Sequence, residues 1–335
     1  MRGISEENVL EYLVAGGHLP DATGPVRRLG GGVSNVVLQV QAGPRAVVVK
    51  QALPRLNVAE VWEAKVERLR TEVEAMRLLA EILPPGAVPR VYFFDPENYV
   101  YGMSAASDRF EVWKARLLRG RIDLETVRAV AALLACMHSQ TAKREDLKRR
   151  FNDLEAFWQL RIDPYYNTVR RRHPDVASQI EAVMAWASSE RHALVHGDYS
   201  PKNLLVDEAD VVLLDCEVAH YGDPAFDVAF LINHLLLKAV HLEDHGAALR
   251  AAAEFFWREY RAAVAEGARA GAFEQRVVGH LAGLHLARVD GKSPVEYLTS
   301  ERARRRVRGY AKGLLKEPPA TVSEAIARHG ESAWQ

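Results

Sequence analysis

Short β-prone bursts open the chain. Segments 26–29, 36–40 and 46–49 hold the apolar residues, with glycine and proline between them, and predict an antiparallel meander. The period then lengthens. Over 58–82, Trp62, Val66, Leu69, Val73, Met76 and Leu79 recur at intervals of three and four. That is the period of an amphipathic helix, and Pro84-Pro85-Gly86 stops it. Segments 91–94 and 99–103 return to strand, split by the turn Asp95-Pro96-Glu97-Asn98. Strands, helix and strands make one unit.

After Ser107 the texture is helical, over 123–138, 153–160, 176–186, 224–239, 247–266 and 273–287. Short strands are predicted only at 193–195, 204–206 and 211–214, the last two closing a hairpin around Asp207-Glu208-Ala209-Asp210. The predicted class is α+β: a small antiparallel-sheet lobe over 1–105 and a larger, mainly helical lobe over 106–335. A hinge is placed near 104–108.

Composition narrows the partners. Lysine plus arginine and aspartate plus glutamate both number 44, so no basic excess points to nucleic acid. The apolar fraction of 48% suffices for a sizeable core. Two cysteines far apart, Cys136 and Cys216, suit reduced thiols and form neither a disulfide framework nor a zinc site. The first residues are too polar for a signal peptide. The longest apolar run, 230–240, is interrupted by Asn233, His234 and Lys238, well short of the ~18 residues a membrane span needs. A soluble cytoplasmic protein without a membrane partner is expected.

The most specific stretch runs Leu194-Val195-His196-Gly197-Asp198-Tyr199-Ser200-Pro201-Lys202-Asn203-Leu204-Leu205-Val206, followed by Leu214-Asp215-Cys216-Glu217. Three carboxylates and an amide converge at the ends of short apolar strands, which is costly unless a cation neutralises them. Magnesium suits such oxygen ligands and shares its shell with phosphates. Phosphoryl transfer needs a metal, an in-line nucleophile and a group to position or deprotonate it. Asp198 fits that last role, Asn203 and Asp215 fit the metal, and Glu217 adds a ligand directly or through water. A lone His-x-Asp reads as a turn. The full H-G-D-x-x-x-x-N with a later Asp matches kinase catalytic-loop logic. For His196, bracing the loop is favoured over a general-base role.

Gly30-Gly31-Gly32-Val33-Ser34-Asn35 lies between two strands, where backbone amides can approach phosphate. Gly31, Gly32, Ser34 and Asn35 are therefore candidate nucleotide contacts. The triplet lacks the G-x-G-x-x-G spacing and the strand-then-helix context of a dinucleotide fold. Lys50 ends an apolar strand, and a kinase needs such a lysine on phosphate, paired with a helix glutamate. Glu72 and Glu74 are both available. Gly291-Lys292-Ser293 mimics a Walker end, but Leu286 stands where the first glycine belongs.

Together these residues resemble the aminoglycoside phosphotransferase and choline kinase superfamily over nearly the whole chain. The match is carried by His196-Gly197-Asp198 through Asn203, Leu214-Asp215 and Gly222-Asp223-Pro224-Ala225-Phe226-Asp227. The resemblance implies a protein-kinase-like two-lobed fold and an ATP- and Mg2+-dependent kinase acting on a small-molecule hydroxyl. It implies that Asp227 supports the catalytic loop, that adenine lies near Met103 to Ala105, and it allows a homodimer. The first lobe is most similar to the 5-methylthioribose kinase family, through Lys50-Gln51-Ala52-Leu53-Pro54, Trp62, Glu67-Arg68 and Glu72. That similarity selects Glu72 as the partner of Lys50.

Two departures concern the acceptor. That family usually lacks an asparagine at the place of Asn203, and it carries a late arginine pair of which only Arg288 remains. Arg288 and Asp290 are the candidate acceptor contacts, and a sugar or sugar-like alcohol is the expected acceptor. A polycationic drug would ask for an acidic cleft, and Glu243, Asp244, Glu254, Glu259 and Glu266 supply some acid but with arginines interspersed; a choline-type substrate would ask for an aromatic cage, and no such cluster is evident. An aminoglycoside or amino-alcohol kinase is the alternative reading, and a non-catalytic nucleotide-binding module a further one, against which the intact Lys50, Asp198, Asn203 and Asp215 speak. The basic run Arg302, Arg304, Arg305, Arg306 and Arg308 is read as the wet face of a helix paired with nearby acids.

Overall fold

Valine-rich segments broken by tight turns fold as predicted into a meander. A computed structural model of the chain describes residues 2–30, 35–54, 64–269 and 272–331. Gly31, Gly32, Ser34 and Trp62 lie outside the described residues. The chain divides into two units. The first comprises Met1–Arg109 and Val212–Val218, the second Phe110–Val211 and Ala219–Gln335.

In the first unit, α1 (Val9–Ala15) precedes β1 (Ala22–Arg28), β2 (Asn35–Ala42) and β3 (Arg45–Ala52). Helix α2 (Arg68–Ile82) is followed by β4 (Val91–Asp95) and β5 (Val100–Ser104). The strands form one antiparallel sheet in the order β1-β2-β3-β5-β4. Alternation along β3 assigns its side chains. Val47 and Val49 enter a core with Val9, Tyr12 and Leu13. Lys50 therefore points to the opposite face, where it meets Glu72 of α2.

Helix α2 starts at Arg68; of the stretch from 58 that the periodicity suggests, residues 58–63 lie outside the described residues and 64–67 are not helical. The backbone ahead of it is committed elsewhere. Ala64 N–H donates to Pro54 O, and the Arg68 guanidinium donates to Leu53 O, Ala64 O and Lys65 O.

The second unit is mainly helical. It begins with β6 (Glu111–Val112), α3 (Trp113–Leu118), α4 (Leu124–Thr141), α5 (Glu145–Arg150) and α6 (Glu155–Phe157). A π-helical segment, Trp158–Asn167, then leads to α7 (Thr168–Arg172) and α8 (Ala177–Ser189). The strands β7 (Ala193–Val195), β8 (Leu204–Asp207), β9 (Asp210–Leu213, of which Val212 and Leu213 are assigned to the first unit) and β10 (His220–Gly222) come next. Helices α9 (Pro224–His241), α10 (Gly246–Ala263), α11 (Phe273–Asp290), α12 (Glu301–Lys316) and α13 (Val322–Arg328) complete it.

Helix α9 is buried from Pro224 to Val240 and forms the centre of this unit. Such an all-round apolar helix needs neighbours on every side, and α10, α11 and α12 pack against it. Strand β7 pairs antiparallel with β10, and β8 lies between β6 and β9. The predicted helix at 153–160 shortens to α6 because Pro164 lies just downstream. Proline supplies no N–H for the carbonyl of Leu160 and widens the winding. Arg161 Nη1 donates to that carbonyl at 2.7 Å.

Helix α11 approaches the π segment through Gly283, where a Cβ would lie 2.7 Å from Tyr166 Cε1. The ring is buried and its hydroxyl meets His280 Nδ1 at 2.9 Å, so it has little room to yield. Gly283→Ala gains about 1 kcal/mol of helix propensity but crowding costs about 1–3 kcal/mol. A lower thermal unfolding midpoint is the expected outcome, and an unchanged or higher midpoint would show that Tyr166 moves aside freely.

Candidate active site

A buried ammonium anchors a charged cluster in the first unit. Lys50, at the end of β3, donates to Glu72 Oε1 at 2.8 Å and to Asp215 Oδ1 at 2.6 Å. Burial alone would lower its pKa, but the charges of Asp215 and Glu72 hold it well above the ordinary lysine range. Glu72 is fully buried. Burial pushes its carboxyl up to about 7 against the attraction of Lys50, and the nearby Asp215 and Glu217 add to the rise. The chosen partner is thus the residue that meets Lys50, ahead of Glu74.

Glu217 accepts from Asn35 Nδ2 at 2.9 Å and from Arg68 Nε at 3.1 Å. Burial and Asp215 would raise its pKa, but Lys50, Arg68 and the Asn35 bond bring it below the usual glutamate value. One oxygen each from Glu72, Asp215 and Glu217 lies within 4.8 Å of the others. Glu72 Oε2 is buried without a hydrogen-bond partner. Crowded carboxylates and an orphaned oxygen suit a hard divalent cation. Asp215 has φ +67°, a left-handed conformation rare outside glycine and most tolerated by Asn and Asp. Such strain concentrates at functional sites.

In the second unit, a polar cluster is built on β7 and the loop after it. Asp227, one turn into α9, is fully buried, and its two oxygens accept His196 N–H at 2.7 Å and Gly197 N–H at 2.9 Å. His138 Nε2 lies 3.3 Å from the same carboxylate and its Nδ1 2.8 Å from Tyr260 Oη. Gly197 takes φ +74°, which a Cβ would resist. His196 Nδ1 accepts the N–H of Asp198 at 3.1 Å, so its imidazole shapes the loop.

Asp198 carries the most constrained carboxylate. Its Oδ2 meets Arg161 Nη2 at 2.9 Å, Lys202 Nζ at 2.8 Å and Asn203 Nδ2 at 2.9 Å. Burial opposes ionisation, but the charges of Arg161 and Lys202 prevail and hold its pKa below the normal aspartate value. Asn203 Nδ2 also donates to Asp198 O at 3.0 Å, so only Oδ1 of this amide remains for a cation.

Arg161 is the principal residue that sequence reasoning missed. It is 7% exposed, donates to Gly197 O at 2.7 Å and lies over the rings of Tyr165 and Phe230. Its one sequence signal is Pro164 three residues on, which marks the irregular winding. Lys202 and Arg68 stand inside quoted motifs but were given no role.

Met103 pairs with Val48, and Ala105 N–H donates to Ala46 O at 3.1 Å, which extends the sheet edge. Arg288 Nη1 donates to Tyr165 Oη at 2.9 Å and to Ser293 Oγ at 3.1 Å. Asp290 is engaged by Arg308 at 2.7 and 2.8 Å and by His173 at 2.9 Å. Those partners outweigh burial and depress its pKa. Arg308, from the basic run, thus pairs with acids, reaching Glu301 as well.

A family model described as the phosphotransferase enzyme family matches residues 25–266, well over half of the chain. The chain belongs to the phosphotransferase enzyme family. Among relatives with names, a methylthioribose kinase of Escherichia coli is 25% identical over 245 residues. The match covers 63% of this chain and 57% of that relative's length. Two solved structures show the fold of this family member. One is a choline/ethanolamine kinase family protein from Mesorhizobium loti, with TM-score 0.54 and 17% identity over 96% of this chain and 98% of the other. The other is an amicoumacin kinase in complex with AMP-PNP, Ca2+ and Ami, with TM-score 0.57 and 14% identity over 97% of both chains.

The charge on Asp198 links stability to pH. Its folded pKa is depressed, so its contribution is full above the unfolded aspartate value of about 3.9. It is lost as pH falls through the lower folded value. Arg161→Met removes the attracting charge with the stronger pull on Asp198, raises that folded pKa and should move acid unfolding to higher pH. Circular dichroism during acid titration measures this. An unmoved acid midpoint would show that Arg161 does not stabilise the ionised carboxylate.

Proposed function

We propose that this chain is an ATP- and magnesium-dependent kinase that phosphorylates a hydroxyl of a small molecule, a sugar or sugar-like alcohol. The observation that carries the reading is the buried Lys50, bonded to both Glu72 and Asp215. A strand lysine paired with a helix glutamate, together with a metal-directed aspartate, is the working arrangement of kinases. Family membership and the relative named methylthioribose kinase support it. In this reading residues 1–105 hold the nucleotide and 106–335 carry the acceptor.

The roles follow from chemistry. Lys50 neutralises nucleotide phosphate and is oriented by Glu72. Asp215 and Glu217 would hold the magnesium, with Asn203 Oδ1 as a further ligand. When bound, that ion offsets the charge on the phosphates. Asp198 remains ionised and receives the acceptor's proton or hydrogen bond at Oδ1, since its contacts converge on Oδ2. Asp227 and His196 act as positioning residues by fixing the loop. Cations around Asp198 disfavour a polycationic drug as acceptor.

Magnesium-dependent release of ADP from ATP, measured with methylthioribose, other pentoses, aminoglycosides and choline, tests the reading. Strong stimulation by a sugar-like member is expected. ATP binding with no stimulation by any hydroxyl compound would sink the kinase assignment. Asp198→Ala should leave ATP binding near normal and lower turnover about 10²–10⁴-fold. Full turnover in that variant would remove Asp198 from the proton-accepting role.

A further inference from the structure

A cluster of donors in the second unit is buried without the acceptors its chemistry calls for. Lys238, on α9, is 1% exposed. Its ammonium donates to His234 O at 3.2 Å and lies 5.4 Å from the centre of the Tyr297 ring. Among the described residues no carboxylate pairs with it, because Glu296, the acid nearest in charge influence, is bonded to Lys114 at 2.5 Å. The hydroxyl of Tyr297 and Nε of Arg288 are also buried without a hydrogen-bond partner. The His234 ring, 8% exposed, packs against Phe230.

An ammonium sealed from water without a counter-ion is expensive. Burial, with the charges of Lys114 and Arg288, brings Lys238 down to about 7. Burial and the same positive field push His234 well below the ordinary histidine value. Packing alone would be served as well by methionine, without the orphaned hydroxyl and guanidinium beside it. What the group lacks is a negative charge with several acceptor lone pairs. A phosphate monoester or a carboxylate supplies both.

The cluster also adjoins Asp198. Arg161, paired with Asp198 at 2.9 Å, lies 5.7 Å from the centre of the Tyr165 ring. Arg288 lies 5.5 Å from the same centre and donates to the Tyr165 hydroxyl. One tyrosine thus links the guanidinium that holds Asp198 to the guanidinium beside Lys238. Tyr297 also lines a cavity of about 200 Å³ with Val240, Arg302 and Arg306.

We propose that Lys238, Arg288 and Tyr297 bind an anionic group, a phosphate ester or a carboxylate, carried by the acceptor alcohol. The proposal rests on the kinase reading for the word acceptor, and on the orphaned donors for the anion. It narrows the substrate class to phosphorylated or acidic sugar-like alcohols.

The test uses the full chain with saturating magnesium and ADP, so that the nucleotide's own contacts are filled. Calorimetry measures inorganic phosphate and, separately, acetate binding to the natural chain, Lys238→Met and Tyr297→Phe. Binding to the natural chain, weakened about ten-fold or more by Lys238→Met and by a smaller factor in Tyr297→Phe, is expected. ADP affinity should stay unchanged in both variants, which controls for folding. Phosphate without acetate binding assigns a phosphate ester, and the reverse a carboxylate. Equal affinity in all three proteins, or no binding of either anion, overturns the proposal. In turnover, ribose 5-phosphate or ribonate should outperform ribose, with KM raised about ten-fold by Lys238→Met. Better turnover of ribose or kanamycin than of ribose 5-phosphate and ribonate also overturns it. Lys238-dependent phosphate binding with no ADP release from any alcohol would remove the kinase reading and leave the anion site standing.

Discussion

Lys50 is buried together with Glu72 and Glu217, with Asp215 partly covered beside them, and neither sign of charge could be kept there without the other. In such surroundings an isolated carboxylate would take up a proton and an isolated ammonium would shed one. The strand alternation that turns Lys50 away from the Val47–Val49 core is what delivers the ammonium to α2. The Arg68 guanidinium repeats the device, binding Glu217 while it closes the backbone turn ahead of the helix. Fold and charge compensation are therefore one arrangement in this unit.

The second unit solves a related problem with backbone amides. A fully buried Asp227 takes two successive N–H groups of the loop after β7, and the left-handed Gly197 lets both face it. The loop then directs Asp198 toward Arg161 and Lys202. The sequence of dependencies runs from α9 through the loop to the carboxylate. That order explains why a helix buried along nearly its whole length carries the residue that shapes a polar turn.

Much of this was legible in the chain itself. The meander, the H-G-D-x-x-x-x-N loop and the choice of Glu72 rest on short spacings, where local patterning decides. The residues that escaped notice act over long separations. Arg161 reaches Asp198 across an irregular winding, and a lone arginine in a half-polar segment carries no mark of its partner. Arg68 joins Glu217 from 149 positions away. The start of α2 was misjudged because an apolar period continues upstream through Val66, while the backbone there serves as acceptor for a side chain. Strand β10, three residues long, has no periodicity to detect and exists because β7 offers an edge to pair with.

The π-helical segment also has a consequence for chain length. Each residue of an α-helix turns the chain by about 100°. Trp158–Asn167 turns less per residue, which sets the rotational phase with which Thr168 and Val169 enter their buried positions. Loss of one residue there would rotate everything downstream to another face and carry Tyr165 and Tyr166 away from Arg288 and His280. Most helical connections tolerate drift in length between distant relatives. This one behaves as a fixed gear, whose tooth count matters as much as the identity of any single tooth.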